Sequence, residues 1–241
     1  MIPAAEPLLF CWSGGKDSAM ALAEIERRGE FRIAALLTTV TEGYDRISMH
    51  GVRRELLERQ AEAIGLPLRK VFIPPDCINA TYEARMQHAL EEQYAQGVRR
   101  VVFGDIFLED LRVYRETNLA PIGMTAMFPL WKQDTRRLAR RFVDEGFRAI
   151  AVCVDSRVLD PTFAGRELDA SFFADLPPNV DPCGENGEFH TFVFDGPIFH
   201  SPLAIQRGEV VERGSFVFCD LIPSSTEIRS DQWTSERPRA Q

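Results

Sequence analysis

The first regular pattern in the chain is an apolar run, Leu8-Leu9-Phe10-Cys11-Trp12, of a length that suits one buried strand. Ala19-Met20-Ala21-Leu22-Ala23 follow after a short polar break and predict a helix to about Arg28. A second strand is predicted around residues 33–37, a helix carries Val52, Leu56, Ala61 and Ile64 on one stripe, and a third strand runs over 68–73. Tyr82, Met86, Ala89 and Leu90 mark a further helix, and residues 100–103 a fourth strand. Strands that alternate with helices in this way predict an α/β architecture, a parallel sheet covered on both faces.

After about Pro129 the pattern changes. A helix is predicted over about 133–145, a strand over 149–154 and a short helix over 167–174. Then come Phe192-Val193-Phe194, an Asp195-Gly196-Pro197 turn, Ile198-Phe199, and a meander through Val210-Val211 and Phe216-Val217-Phe218. The chain therefore divides into an α/β unit over 1–128, a smaller α+β lobe over 129–223, and a polar end over 224–241 that is expected to be a mobile tail.

Composition narrows the class. Of 241 residues 45% are hydrophobic, yet no apolar run reaches the roughly 18 residues that a membrane span needs. The start lacks a basic segment and a signal-peptide core, so a cytoplasmic protein is expected. The five cysteines, at 11, 77, 153, 183 and 219, form no Cys-x-x-Cys pair, which argues against a zinc ribbon or a dithiol redox centre. A net charge of −8 argues against non-specific binding to nucleic acid. One local exception is a basic stripe of Lys132, Arg136 and Arg140 with Arg137 and Arg141 beside them, either a solvated helix face or a landing surface for an acidic partner.

The break between the first strand and helix reads Ser13-Gly14-Gly15-Lys16-Asp17-Ser18. Adjacent glycines let backbone N–H groups turn onto an anion, the helix offers its positive end, and two hydroxyls and a lysine add donors and charge. A nucleotide polyphosphate is the expected ligand. The spacing matches neither Gly-x4-Gly-Lys-Ser/Thr nor Gly-x-Gly-x-x-Gly. In a parallel sheet ligands bind beyond the carboxyl ends of strands, where Thr38, Thr39, Gly104 and Asp105 also fall. The threonines could meet adenine or ribose or serve only as β-formers; Gly104 and Asp105 could admit the nucleotide and hold Mg²⁺ or form a simple turn.

A second segment, Asp181-Pro182-Cys183-Gly184-Glu185-Asn186-Gly187-Glu188-Phe189-His190-Thr191, is richer in reactive groups than a connection requires. The first segment resembles the PP-loop of ATP pyrophosphatases, which cleave ATP between the α- and β-phosphates. Together with the second segment, with Ser48-Met49-His50-Gly51-Val52-Arg53, Gly104-Asp105-Ile106 and Pro129-Leu130-Trp131, it resembles the diphthine–ammonia ligase family over nearly all of residues 8–199. The resemblance implies an adenine-nucleotide α-hydrolase sheet, Rossmann-like, with a smaller C-terminal lobe. It further implies a reaction in which ATP and ammonium convert a carboxylate, that of diphthine on elongation factor 2, into an amide with release of AMP and pyrophosphate.

On that resemblance Lys16, the loop amides and Mg²⁺ hold the departing pyrophosphate, and Asp17 positions the metal or caps the helix. Glu185, Asn186 and Glu188 line the acceptor side, with Phe189 or Trp131 suited to a trimethylammonium group and His190 an alternative base that shares a strand face with Glu188. His50, at a helix start, serves capping or catalysis. Two other readings remain open: a different PP-loop activity, such as tRNA thiolation or a small-molecule acceptor, and a non-enzymatic ATP- or AMP-binding module. Oligomeric state, a homodimer included, is not readable from the residues.

Overall fold

The computed structural model describes residues 5–44, 46–47 and 51–224. The expected tail beyond Ser224 and the expected site residue His50 lie outside them. Two sheets form the frame. The larger contains five parallel strands in the spatial order β4(Leu68–Ile73), β2(Phe31–Thr41), β1(Glu6–Cys11), β5(Arg100–Val102) and β6(Thr125–Met127). The two-residue β3(Arg46–Ile47) pairs antiparallel with the end of β2 at Val40 and Thr41. The smaller sheet is wholly antiparallel, in the order β8(Phe189–Asp195), β7(Arg148–Asp155), β10(Phe216–Pro223) and β9(Ile205–Arg213). The protein is thus α/β, with a parallel Rossmann-like sheet and a smaller antiparallel lobe.

Burial explains the alternation. On β1, Leu8 and Phe10 enter one hydrophobic cluster while Leu9 enters another on the opposite face, as expected for a strand covered on both sides. The first cluster contains α1(Lys16–Arg28) and α2(Arg54–Ile64), and continues through Phe142, Phe172, Phe192 and Phe194 of the second lobe. The second cluster holds Leu90 of α3(Asn79–Ala95) and Leu119 of α4(Glu109–Leu119). The expected division at residue 128 falls between β6 and α5(Thr135–Asp144).

Several local expectations shift. α4 and β6 were not anticipated: α4 buries only Leu119, so its sequence carries little helical stripe, and β6 has three residues. α5 starts at Thr135, because Asp134 accepts the Arg137 N–H at 2.8 Å as its N-cap, and Lys132 sits outside the helix at φ 58°. Lys132 therefore leaves the expected basic stripe and pairs with Glu109 at 2.9 Å. The short helix α6 spans Ala170–Asp175 rather than starting at Glu167, which bridges to Ile150 and pairs with Arg148. The lobes are also clamped by Asp220 of β10, whose carboxylate accepts from Arg46 at 2.9 Å and Arg53 at 2.5 Å.

Candidate functional site

Where β1, β2 and β5 end, their loops open into one cavity of about 490 Å³ whose far wall is supplied by β8 and the loop before it. Ser13, Gly15, Lys16, Asp17, Ser18, Thr38, Thr39, Gly104 and Asp105 line it from the first sheet, and Glu185 and His190 from the second lobe. Residues more than 170 positions apart in the chain, such as Asp17 and His190, thus face the same space. Leu37, Met86, Phe103 and the Tyr82 ring add apolar and aromatic surface to the lining, which suits a flat heterocycle.

The glycine-rich loop is held in shape from within. Gly14 takes φ +78°, a conformation that favours glycine, and Gly15 is the N-cap of α1 with no side chain capping it. The Gly15 N–H points to Ser13 Oγ at 3.2 Å, the Ser13 and Ser18 hydroxyls lie 3.1 Å apart, and Ser18 Oγ donates to the Gly15 carbonyl at 2.8 Å. Gly104 has a packing reason: a Cβ there would stand 3.0 Å from Ser18 N and 3.1 Å from the Asp17 carbonyl carbon. The β5 turn therefore abuts the start of α1, and a side chain would push the two apart.

Lys16 is buried and its ammonium is claimed three ways. It donates to both Asp17 carboxylate oxygens at 2.7 Å and to the Cys183 carbonyl, and it stands 5.7 Å above the Phe189 ring. Burial lowers its pKa, but Asp17, Cys183 and Glu185 together hold it above the usual lysine value, so the cation persists. Asp17 does not cap α1; its carboxylate is the partner of Lys16.

Asp105 is held by Arg115 of α4 through two contacts, at 2.6 and 3.0 Å, and Arg115 also covers the Phe103 ring at 4.3 Å. Among the described residues no group of three His, Cys, Asp or Glu side chains could by itself cage a metal ion. The cavity nevertheless carries three carboxylates, on Asp17, Asp105 and Glu185, against two cations, Lys16 and Arg115. A polyphosphate entering this balance would meet net negative charge, so the donor set fits Mg²⁺ that arrives on the phosphates and is met by one or two carboxylates.

The second segment separates into two jobs. Glu185 faces the cavity, where Oε1 accepts the Ile106 N–H at 2.7 Å and the Phe107 N–H at 3.2 Å, while burial raises its pKa to about 7. His190 also faces it, and burial followed by the charge of Lys16 lowers its pKa, keeping the imidazole neutral. The expected acceptor-side position of Glu188 and Asn186 is corrected. The Glu188 carboxylate turns back into its own loop and accepts from Asp181 N at 3.0 Å, Asn186 N at 2.9 Å and Asn186 Nδ2 at 2.9 Å, and neither residue lines the cavity. Glu188 and His190 therefore do not meet in the cavity. Phe189 lines the cavity, whereas Trp131 is engaged elsewhere, with Phe128 and Arg112.

Three contributors escaped the sequence reading. Thr191 accepts the Lys16 N–H, Arg115 anchors Asp105, and Gln60 lies behind the glycine loop. Gln60 had a signal: it falls at the buried i+4 position between Leu56 and Ile64, an amide within an apolar stripe. Arg115 had none, because its partner lies in a loop ten residues earlier.

A parallel sheet of this order, with a Ser-Gly-Gly-Lys-Asp-Ser turn at the end of β1 forming one wall of the cavity, defines a PP-loop protein of the adenine-nucleotide α-hydrolase type. Two family models match it in succession, the diphthamide synthase N-terminal domain over residues 8–125 and the diphthamide synthase C-terminal domain over 134–223. The chain belongs to the diphthamide synthase family. It is similar to the diphthine–ammonia ligase of Schizosaccharomyces pombe, at 28% identity over 240 residues, which cover 92% of this chain and 39% of that protein. It is 26% identical to the Danio rerio diphthine–ammonia ligase over 236 residues, 87% of this chain and 90% of the relative, and 25% identical to the Homo sapiens one over 234 residues, 87% and 86%. The chain thus spans about two fifths of the fission-yeast relative and most of the two vertebrate ones. Among the described residues no helix is long and apolar enough to cross a membrane.

Proposed function

We propose that the protein is an ATP-dependent amide ligase that adenylates a carboxylate and transfers ammonia to it, releasing AMP and pyrophosphate. The observation that carries this reading is the meeting of the glycine loop and the Glu185/His190 wall in one cavity, joined through Lys16 and the Cys183 carbonyl. A carboxylate resists ammonia because oxide is a poor leaving group; converting it to an acyl-adenylate replaces oxide with AMP.

Lys16 and the glycine loop line the cavity, and there the ammonium meets the departing pyrophosphate and absorbs its charge. Mg²⁺, when bound, would neutralise phosphate charge, with Asp17 and Asp105 as the carboxylates to hold it. The Tyr82, Met86 and Phe103 surface receives the adenine, with Thr38 and Thr39 also in the lining. Glu185 holds ammonium and takes its proton: with a pKa of about 7 it is an effective base near neutral pH. His190, neutral and in the same wall, is the second group able to accept a proton. The name of the relatives, diphthine–ammonia ligase, supports diphthine as the acceptor, and its presentation by elongation factor 2 is part of this proposal.

The test is mass spectrometry of diphthine-bearing elongation factor 2 after incubation with the protein, ATP, Mg²⁺ and ammonium, with AMP and ADP quantified in parallel. Acid-to-amide conversion matched by AMP is expected. ATP binding without conversion would remove this acceptor, and ADP in place of AMP would remove adenylation.

A further inference from the structure

Behind the glycine loop, on the side away from the cavity, the Gln60 side chain is completely buried, and its amide oxygen and both N–H groups meet protein. Its Oε1 accepts from Trp12 Nε1 at 3.0 Å; its Nε2 donates to the Gly14 carbonyl at 3.0 Å and the Val193 carbonyl at 2.6 Å. The orientation of the amide is unambiguous, because an indole N–H can only donate and backbone carbonyls can only accept. The Gly14 carbonyl also accepts the Val193 N–H at 2.9 Å.

Those two donors pull the Gly14 carbonyl away from the cavity. In a planar trans peptide the C=O and the following N–H point in opposite directions, so the Gly15 N–H is turned to the cavity side, where Ser13 Oγ meets it at 3.2 Å. Gly14 at φ +78° could rotate this peptide with little steric resistance, and nothing in the glycine itself prevents it. We infer that Gln60 is a positioning residue that locks the Gly14–Gly15 peptide with its N–H toward the phosphates and ties that lock to β8, the strand that carries His190 and Thr191. Glutamate cannot donate to both carbonyls, asparagine is one methylene too short, and an apolar residue leaves both carbonyls and the indole less satisfied. The inference rests on the reading of the cavity as a polyphosphate site and adds a residue outside it.

Gln60→Met, which keeps the volume and removes the amide, and Gln60→Glu test it by calorimetric titration with Mg·ATP, inorganic pyrophosphate and AMP. Gln60→Met is expected to weaken ATP and pyrophosphate by about tenfold and AMP by less than about twofold, because AMP lacks the phosphates that the loop receives. Gln60→Glu is expected to bind ATP poorly at pH 8 and to recover, relative to wild type at the same pH, as the carboxyl protonates and regains a donor. ATP and pyrophosphate affinities within about twofold of wild type in a folded variant, or an equal loss for AMP, would overturn the inference. Should Gln60→Met not fold, the pH dependence of the Gln60→Glu ratio decides, and a flat ratio overturns it. Wild-type protein that binds neither ATP nor pyrophosphate would overturn the underlying site reading instead.

Discussion

The backbone N–H of Lys16 donates to Thr191 Oγ1 at 3.0 Å, joining residues 175 positions apart and fastening the first turn of α1 to the strand that forms the opposite wall. Because the donor is a helix N-terminal N–H with no intrahelical partner, loss of the hydroxyl orphans a buried group. Thr191→Val should therefore lower stability by about 1–2 kcal/mol and weaken ATP. Denaturant unfolding together with ATP titration checks both, and an unchanged midpoint would show that the contact is not needed.

Lys16 holds a buried positive charge where phosphate negative charge would develop, paired with Asp17 at rest. Lys16→Ala should reduce turnover by about 10² or more, comparable to loss of a major electrostatic donor, while circular dichroism stays native. Turnover equal to wild type would take the loop lysine out of the reaction.

Glu185 should impose a pH dependence on both activity and stability. Its pKa stands near 7 instead of 4.5 because burial disfavours the carboxylate. As the base it must be ionised, so turnover should rise as pH passes through about 7, and Glu185→Gln should flatten that limb. For folding the sign is opposite: a raised pKa contributes stability that is full below 4.5 and is lost as pH rises through about 7. Glu185→Gln should accordingly melt above wild type at pH 8, with the gap closing toward pH 4; a constant gap would locate the effect elsewhere.

Glu188 should behave as a loop-builder. Its carboxylate collects three N–H contacts from Asp181 and Asn186, and a glutamine would turn an NH₂ toward donors. Glu188→Gln should cost about 1–3 kcal/mol, visible as a lower melting temperature. An unaltered melting temperature with selective loss of acceptor use would restore it to the acceptor side.

Metal dependence should be conditional on the nucleotide. With no group of three acidic, His or Cys side chains able to cage a cation among the described residues, and with Asp105 already paired to Arg115, Mg²⁺ alone should not raise the melting temperature. Mg²⁺ with ATP should raise it by more than ATP alone. A shift with Mg²⁺ alone would reveal a preformed metal site.

By itself the sequence determined the class of fold and the glycine-rich loop proposed to receive phosphate, because both are local. Burial on two faces writes strands as continuous apolar runs such as Leu8 to Trp12, and a tight anion turn writes its glycines, hydroxyls and lysine consecutively at 13–18. Only the tertiary structure decided which members of the second segment face the cavity. Glu185 and Glu188 are the same residue type three positions apart, yet the first reaches the backbone N–H groups of Ile106 and Phe107 across the cavity, and the second finds donors in its own loop. Such a choice depends on partners brought in from elsewhere in the chain. The same holds for Gln60 and Thr191, whose roles arise from contacts set by packing two sheets around α1, and for Arg115, set by the docking of α4 on the turn after β5: side-chain hydrogen bonds are short and directional, and sequence distance says nothing about which of them will form.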